Sequence, residues 1–400
     1  MRERRLRIVT TGLLGQYAFG GVTWDYLQYA LGFRALGHDV WYLEDTGAWA
    51  YDPVAEEPSA DCAHNVRYLA RIMDEFDLGD RWIYRNAADG RYHGVEAALA
   101  ERVLAEADVL VNVSGACWLR EATAAVPVKV FVDGDPMFTQ IGLATGKNAE
   151  YVRRVRAHAA HFSFGLHVGA PDCRVPTAGL TWRPTVQPIA LECWTPWWEP
   201  GGAVPAEHPA SGAFTTVMNW TSYAPQEWAG DTYDQKGVEF LRFRELPQRV
   251  PQRFVVAMGQ GPGRRRPTAD LEAAGWIVLE PAEHLPDHRT YRTFLAASRG
   301  EWSVAKHGYV KARTGWFSCR SACYLALGRP VVVQDTGWSA HLPAGEGVLA
   351  FDDLDGAAAG VRAVDADYER HARAARRFCE RHFEARRVCA ALLETTLAAA

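Results

Sequence analysis

Hydrophobic and polar residues alternate along the first half of the chain in a way that predicts strands followed by helices. Short apolar runs that end in polar or glycine-bearing turns are typical of buried parallel strands. The stretches between these runs place apolar residues at helical spacing. The predicted strands are Leu6–Thr11, Asp39–Leu43, Val109–Val113 and Val128–Val132, and the predicted helices are Val22–Leu36, 61–76 and 95–106.

A second series of strands and helices begins after a segment rich in proline and glycine. Residues 193–205 read Cys-Trp-Thr-Pro-Trp-Trp-Glu-Pro-Gly-Gly-Ala-Val-Pro, and such a composition interrupts both helix and strand. We therefore predict a domain linker here. The strands predicted beyond it are Thr215–Asn219, Arg253–Met258, Trp276–Leu279 and Pro330–Gln334, with helices beginning at Gly237 and Tyr291 and another over Ser318–Leu327.

This order of elements predicts an α/β protein with two doubly wound, Rossmann-like domains that face each other across a cleft. We expect an N-terminal domain over 1–195, a linker over 196–213 and a C-terminal domain over 214–365. The alanine- and arginine-rich end, 366–400, is predicted to form helices that pack back on the N-terminal domain.

Composition and charge narrow the function. The 400 residues carry a net charge of −5, which does not favour nucleic acid or an anionic membrane as a partner. The eight cysteines form no C-x-x-C pair, a pattern typical of free thiols in a reducing compartment. No apolar run is long enough to span a membrane, and the N-terminal stretch lacks a signal-peptide cleavage site. We therefore expect a cytoplasmic protein.

The loop after the first predicted strand is rich in glycine, at Gly12, Gly15, Gly20 and Gly21. Such a loop can admit a phosphate to the backbone N–H groups of the following helix, and it can equally serve as a tight turn. Glu44, with Asp45 beside it, stands where an acidic residue holds an adenosine ribose, so an NAD(P)-dependent oxidoreductase is one alternative. The loop does not match G-x-G-x-x-G, which weakens that alternative.

The segment from residue 298 to residue 337 is the richest in polar residues that could bind a ligand. Hydrogen-bond donors gathered before and at the start of a predicted helix make an anion site suited to a diphosphate. These residues are Lys306, His307, Tyr309, Ser318, Arg320 and Ser321.

This segment resembles the nucleotide-sugar glycosyltransferases of the GT-B fold, and the resemblance extends over most of the chain. The stretches that carry it read Ser-Arg-Gly-Glu-Trp-Ser-Val-Ala-Lys-His-Gly-Tyr and Gly-Trp-Phe-Ser-Cys-Arg-Ser-Ala-Cys-Tyr-Leu-Ala-Leu-Gly-Arg-Pro-Val. They look like those of bacterial members without a known acceptor. The resemblance implies a C-terminal donor domain and an N-terminal acceptor domain. It assigns Lys236, before Gly237, to the donor pyrophosphate, and it places Glu301, Asp335, Thr336 and Gly337 in the donor site.

One departure from the family pattern bears on the reaction. Retaining members carry two glutamates eight positions apart, and Gly315 and Cys323 stand at the matching positions here. We therefore expect an inverting enzyme, which needs a carboxylate or imidazole to take the acceptor's proton. The candidates, all in the N-terminal domain, are Asp133 and Asp135 at a strand end, which we favour, together with Asp25 and His93.

The sequence thus predicts a glycosyltransferase that moves a sugar from a nucleotide diphosphate sugar to a small-molecule acceptor, glycosidic or aromatic. We expect no metal and no resident cofactor, because the Asp-Gly-Asp at 133–135 lies far along the chain from the donor segment. A third alternative is an inactive, transferase-like partner protein. The 15 tryptophans concentrate near the predicted cleft, at Trp24, Trp194, Trp197, Trp198, Trp220, Trp302, Trp316 and Trp338, so we also expect an aromatic cleft wall.

Overall fold

Two parallel sheets form the framework of the computed structural model, which describes residues 4–53, 55–202 and 207–398. The first sheet has the order β10-β9-β8-β7-β1-β2-β5-β6, and all its described pairings are parallel except β5 with β6. Its strands are β1 (Arg7–Thr11), β2 (Asp39–Glu44), β5 (Trp82–Arg85), β6 (Tyr92–His93), β7 (Val109–Val113), β8 (Val128–Asp133), β9 (Ala160–Ser163) and β10 (Trp182–Pro184), and β3 (Ala50–Asp52) pairs with β4 (Glu57–Ser59) in a separate hairpin.

Helices cover both faces of this sheet, so its strands read as continuous apolar runs rather than as alternating ones. Every residue of β7 is buried, as are the last four of β8. The helices of this part of the chain are α1 (Gly20–Ala35), α2 (Ala63–Glu75), α3 (Ala97–Ala105), α4 (Glu121–Ala124), α5 (Phe138–Thr145) and α6 (Ala149–Arg156).

The second sheet is parallel throughout, with the order β15-β14-β11-β16-β17-β18. Its strands are β11 (Phe214–Asn219), β14 (Phe254–Gly259), β15 (Trp276–Leu279), β16 (Gly300–Ser303), β17 (Val331–Gln334) and β18 (Val348–Phe351), and β12 (Gln226–Trp228) with β13 (Asp231–Tyr233) forms a small antiparallel pair. The helices are α7 (Lys236–Arg242), α8 (Leu246–Arg249), α9 (Thr268–Ala273), α10 (Pro281–His284), α11 (His288–Ala297), α12 (His307–Ala312), α13 (Cys319–Ala326), α14 (Leu354–Ala366), α15 (Tyr368–His382) and α16 (Ala385–Leu397).

The strand orders confirm the predicted fold class of two doubly wound layers. Each sheet grows outward from its first strand in one direction and then in the other. The order therefore reverses between β1 and β7 in the first sheet and between β11 and β16 in the second. Ligands of such sheets bind at these reversals, outside the carboxyl ends of the strands.

The C-terminal helices return to the first sheet's side of the molecule. Helix α16 packs on α1, where a Cβ on Gly32 would lie 2.6 Å from the Cys389 sulfur, so only glycine permits this approach. The last strand of the first sheet ends at Pro184, and the first strand of the second sheet begins at Phe214. Residues 203–206 of the predicted linker lie outside the described residues, as do 1–3 and 399–400 at the chain ends. None of the described helices is long and apolar enough to cross a membrane.

Candidate functional site

Asp135 joins the two halves of the molecule. It follows β8 of the first sheet, and its two carboxylate oxygens lie 2.9 and 3.1 Å from the ammonium of Lys306, which follows β16 of the second sheet. The hydroxyl groups of Tyr223 and Tyr309 also donate to this carboxylate. Burial and the neighbouring carboxylate raise the pKa of both tyrosines, so they remain protonated donors. The four side chains form an ionic cluster across the cleft.

Lys306 is held by aromatic rings as well as by this carboxylate. Its ammonium lies 4.5 Å from the ring centre of Tyr223, 5.1 Å from that of Phe138 and 5.3 Å from that of Tyr309. Only 12% of its side chain is exposed, and such desolvated cation–π contacts are stronger than exposed ones. Sequence reasoning did not find Tyr223 or Phe138. The one available signal was position, because each lies a few residues beyond the carboxyl end of a strand.

Asp133 has a different environment from Asp135. It is 1% exposed, and it accepts hydrogen bonds from Gln140 Nε2 at 2.8 Å, Ser163 Oγ at 2.7 Å and the Asp135 amide at 2.9 Å. Burial raises its pKa. With these donors already bound, the Asp133 carboxylate fixes the loop that presents Asp135.

Lys236 and Arg320 meet at the strand-order reversal of the second sheet. Lys236 is the first residue of α7, and its ammonium lies 5.7 Å from the ring centre of Trp316. Among the described side chains it has no ion-pair partner within 4 Å. Burial, and then the charges of Arg320 and Lys306, lower its pKa well below the usual value. An unpaired, desolvated ammonium of this kind favours an anionic ligand.

Arg320, on the first turn of α13, is fixed by two hydrogen bonds but keeps one nitrogen without a hydrogen-bond partner. Its Nε donates to Glu301 at 2.6 Å and its Nη1 to the carbonyl of Val217 at 2.6 Å. Its Nη2 is buried without a hydrogen-bond partner, and so are the hydroxyl of Ser321 and the indole N–H of Trp316. Buried polar groups are rarely left unbonded in native proteins. Two of these groups, on Arg320 and Trp316, belong to neighbours of Lys236, which indicates a polar ligand site there.

Asp25, on α1, lies near the same two cations. Its side chain is half-buried, and none of the described residues donates a hydrogen bond to its carboxylate. Burial raises the pKa of Asp25 to about 7, while the nearby charges of Arg320 and Lys236 act in the opposite direction. The structure therefore brings Asp25, Lys236 and Arg320 together and places Lys306 and Asp135 next to them.

Other predicted donor residues mainly shape the loops of this site. Asp335 accepts the Gly337 amide at 2.8 Å and binds Ser339, and Thr336 donates to the Trp316 carbonyl at 2.8 Å. His307 accepts the Asp234 amide at 3.2 Å, on the loop that leads to α7. Ser318 is the residue before α13. These contacts position the backbone around Lys236 and Trp316.

The glycine loop of the first sheet has no free N–H groups at Gly15 and Gln16, because both donate to Glu44, which also accepts the hydroxyl of Tyr42. Burial raises the pKa of Glu44 to about 7.

The remaining loop glycines allow close packing. A Cβ on Gly12 would overlap Tyr26, and one on Gly20 would lie 2.3 Å from the Asp287 carbonyl oxygen. Gly21 lies next, against the Tyr291 ring. These contacts match the tight-turn interpretation.

His93 lies on the edge strand β6, where Nε2 is 3.7 Å from the sulfur of Cys62. Five strand spacings separate β6 from β8, roughly 24 Å. His93 is therefore remote from Asp135, and the structure does not bring these two candidates together.

The prediction that the tryptophans form an aromatic cleft wall is wrong for most of them. A side chain inside the core cannot stack on a ligand. Five of the eight are fully buried, namely Trp24, Trp194, Trp220, Trp302 and Trp338. Trp302, for example, stacks on Phe351 at 5.7 Å between ring centres. These rings fill cores because the core positions of large domains accept bulky side chains. Trp316 is the member that lies at the site.

Comparison with solved structures assigns the fold. The chain is similar to an α-glucosyltransferase in complex with UDP and a 13-mer DNA containing a central A:G mismatch (TM-score 0.56, 13% identity, 98% of this chain and 100% of that chain). It is also similar to HepE of Anabaena in complex with UDP and glucose, with a TM-score of 0.54 and 10% identity over 98% of this chain and 99% of that chain. A third similar structure is sucrose-phosphate synthase from Thermosynechococcus elongatus, with a TM-score of 0.51 and 12% identity over 99% of this chain and 100% of that chain. The chain therefore has the GT-B fold that its sequence resembles. No protein-family model and no curated protein matches it in sequence.

Proposed function

We propose that this protein is an inverting, metal-independent glycosyltransferase that moves a sugar from a nucleotide diphosphate sugar to an acceptor hydroxyl. The observation that carries the proposal is Lys236, a desolvated ammonium without an ion-pair partner among the described residues, beside the unbonded Nη2 of Arg320. A diphosphate would supply the missing acceptors. The solved neighbours that bind UDP or UDP-glucose support a nucleotide sugar as the donor.

Positive groups in this site could stabilise the leaving diphosphate without a metal ion. Arg320 is fixed by its hydrogen bonds to Glu301 and to the Val217 carbonyl, and the N-terminus of α13 directs its backbone N–H groups to the same region. Donors that are positioned before the reaction stabilise developing charge most effectively in a desolvated site. Lys306 lies close enough for its charge to lower the pKa of Lys236 and would contribute further.

Asp25 is the base that these contacts favour. Asp133 already accepts three hydrogen bonds, and Asp135 is occupied by Lys306 and two tyrosine hydroxyls. Asp25 has free lone pairs, faces Arg320 and Lys236, and has its pKa raised by burial to about 7, where a general base is most effective. We therefore place the acceptor hydroxyl beside Asp25 rather than beside the aspartate pair.

The two positions that would carry the glutamates of a retaining enzyme support inversion. A Cβ on Gly315 would lie 2.3 Å from the His167 amide nitrogen, so no larger side chain fits there. Cys323 is 2% exposed and packs in the core. Neither position carries a carboxylate that could serve a retaining mechanism.

The alternatives receive less support. In the dinucleotide alternative, Glu44 would bind a ribose and the loop amides a phosphate, but these groups bind each other. An inactive partner protein is tested by the experiment below. We propose a small-molecule acceptor, since the net charge of −5 does not favour DNA, and a cytoplasmic location, which the eight free cysteines support.

The test is a thermal-shift panel of nucleoside diphosphates and their sugars. A ligand at 100 times its Kd adds about 2.7 kcal/mol to the free energy of unfolding. Lys236→Met should weaken the best ligand by about tenfold to a hundredfold, because it removes one charge-assisted contact. Lys147→Met, an exposed lysine on the first sheet's side, is the matched control.

A panel without any binder would contradict the proposal, as would equal affinities for the two lysine variants. Release of nucleoside diphosphate from the sugar that binds best would exclude the inactive partner protein. Asp25→Asn should slow that release without weakening the binding of the nucleotide, because it removes no positive group from the donor site.

A further inference from the structure

Two exposed aromatic side chains lie on loops that follow the neighbouring strands β1 and β2. Trp49 is 51% exposed and Tyr17 is 38% exposed, and they are the two aromatic residues among the large hydrophobic side chains that are exposed in the described ranges. Phe19 and Tyr51 lie next to them and are half-buried. We refer to Tyr17, Phe19, Trp49 and Tyr51 as the aromatic platform. Aromatic rings left in contact with water over such an area commonly mark a binding site.

The platform is held in shape by the loops that carry it. The ring of Tyr51 lies 5.8 Å from that of Tyr17 and 5.8 Å from that of Phe19. Asn65 is buried, and its Nδ2 donates to the carbonyl of Tyr51 at 3.0 Å and to that of Gly15 at 2.7 Å. These bonds tie the loop after β1 to the hairpin of β3 and β4. A surface that is ordered before the ligand arrives loses less entropy on binding.

The platform lies on the edge of the first sheet that faces the cleft. Its residues follow β1 and β2, which are neighbours, and Asp135 follows β8 at the same carboxyl edge. Asp135 contacts Lys306 of the second sheet, so this edge faces the donor site. The strands β1 and β2, from which these loops extend, lie two and three strand spacings from β8, roughly 10–15 Å. The loop of Tyr17 and Phe19 also leads directly into α1, which carries Asp25.

We propose that the aromatic platform binds the acceptor of the transfer reaction, and that this acceptor is a neutral saccharide whose pyranose rings pack on Trp49 and Tyr17. The inference rests on the proposed glycosyltransferase function and names its second substrate. A pyranose ring presents a flat face of C–H groups to the negative face of an aromatic ring, and its hydroxyl groups extend sideways to polar partners.

The charge around the platform selects a neutral saccharide rather than an anionic one. Burial, and then the charges of Glu56 and Asp52, raise the pKa of Tyr51, which shows that both carboxylates lie near its ring. Carboxylates accept hydrogen bonds from sugar hydroxyl groups and repel phosphate or uronate groups.

The test measures saccharide binding in the full-length protein without nucleotide, by saturation-transfer NMR with maltotriose, cellotriose and chitotriose as probes. Trp49→Ala and Tyr17→Ala should each weaken the best probe by about tenfold, because each removes one stacking face. Trp49→Phe should retain most of the affinity. Ile277→Ala, which removes an exposed hydrophobic side chain from the second sheet, is the control and should bind like the wild type.

Two results would overturn the assignment: no binding by any of the three probes, or equal affinity in the wild type and Trp49→Ala. The nucleotide panel decides the proposed function separately, because it reports on Lys236 and needs no saccharide. If nucleotides bind and the platform variants leave saccharide affinity unchanged, the acceptor site is wrong and the donor site stands. With both ligands bound, nucleotide release should rise with saccharide concentration, and the half-saturating concentration should increase about tenfold in Trp49→Ala.

Discussion

Lys306 and Asp135 form an ion pair that links the two sheets, with the lysine ammonium 2.9 Å from one oxygen of the carboxylate. They are separated by 171 residues in the chain. Two tyrosine hydroxyl groups donate to the same carboxylate. Residues that sequence analysis assigned to separate roles, Lys306 to the donor and Asp135 to the acceptor proton, thus bind each other.

Removing the acidic partner of this pair should destabilise the protein. In Asp135→Asn, the Lys306 ammonium loses its counter-ion in a partly desolvated position, and we expect the free energy of unfolding to fall by about 1–3 kcal/mol in urea titrations. Asp80→Asn is the control, because Asp80 is 84% exposed and makes only a 3.5 Å contact with Arg81. Its effect should stay within about 0.5 kcal/mol. Equal urea midpoints for the two variants would show that the pair contributes nothing to stability.

Gly315→Ala should be far more disruptive than an alanine at a comparable glycine. Gly315 has φ +78° and its Cβ would lie 2.3 Å from the His167 nitrogen, whereas Gly212 has φ +70° and open space around it. Both variants incur left-handed strain of about 1–2 kcal/mol. At Gly315 alone, the steric overlap should lower the free energy of unfolding by about a further 1–3 kcal/mol, and this loss is detected as a lower Tm. Matching Tm values would mean that the segment around His167 moves aside at little cost.

The stability of the protein should depend on pH through Asp25. Burial raises its pKa from 3.8 to about 7, so between these values the folded state holds a proton that the unfolded state has lost. The contribution of Asp25 to the free energy of unfolding therefore falls as the pH rises through this window.

Asp25→Asn has no such titration. The free energy of unfolding of this variant, relative to that of the wild type, should therefore rise by about 2–4 kcal/mol from about pH 4 to about pH 8, measured by urea unfolding at both pH values. Glu44 is also raised to about 7 and titrates in both proteins, so it cancels in the comparison. A constant difference between the two proteins across this range would show that Asp25 titrates normally.

Nucleotide binding should change tryptophan fluorescence through one residue. Trp316 lies beside Lys236 and has an unbonded indole N–H, whereas five other tryptophans are fully buried. Trp316→Phe should remove most of the response to a nucleotide that still binds, and Trp49→Phe, on the aromatic platform, should keep it. A response that persists in Trp316→Phe would assign the signal to another tryptophan.

The local pattern of apolar and polar residues was sufficient to predict most of the strands and helices. The strands Val109–Val113 and Trp276–Leu279 were predicted to the residue, because buried parallel strands read as uninterrupted apolar runs. Strand β16 was missed, since it is short and contains Glu301, whose charge is compensated by Arg320 from another element. The helices predicted for the C-terminal end are α15 and α16, and the break between them lies at Phe383 and Glu384.

The sequence by itself determined the fold class and most of the order of the elements, because periodicity and turn residues act within a few positions of the chain. Tertiary structure decided the role of each side chain. Whether a carboxylate is saturated, like Asp133, paired, like Asp135, or unbonded and desolvated, like Asp25, depends on groups up to hundreds of residues away. Such environments set the pKa and the free lone pairs on which catalysis depends, and no local pattern in the chain encodes them.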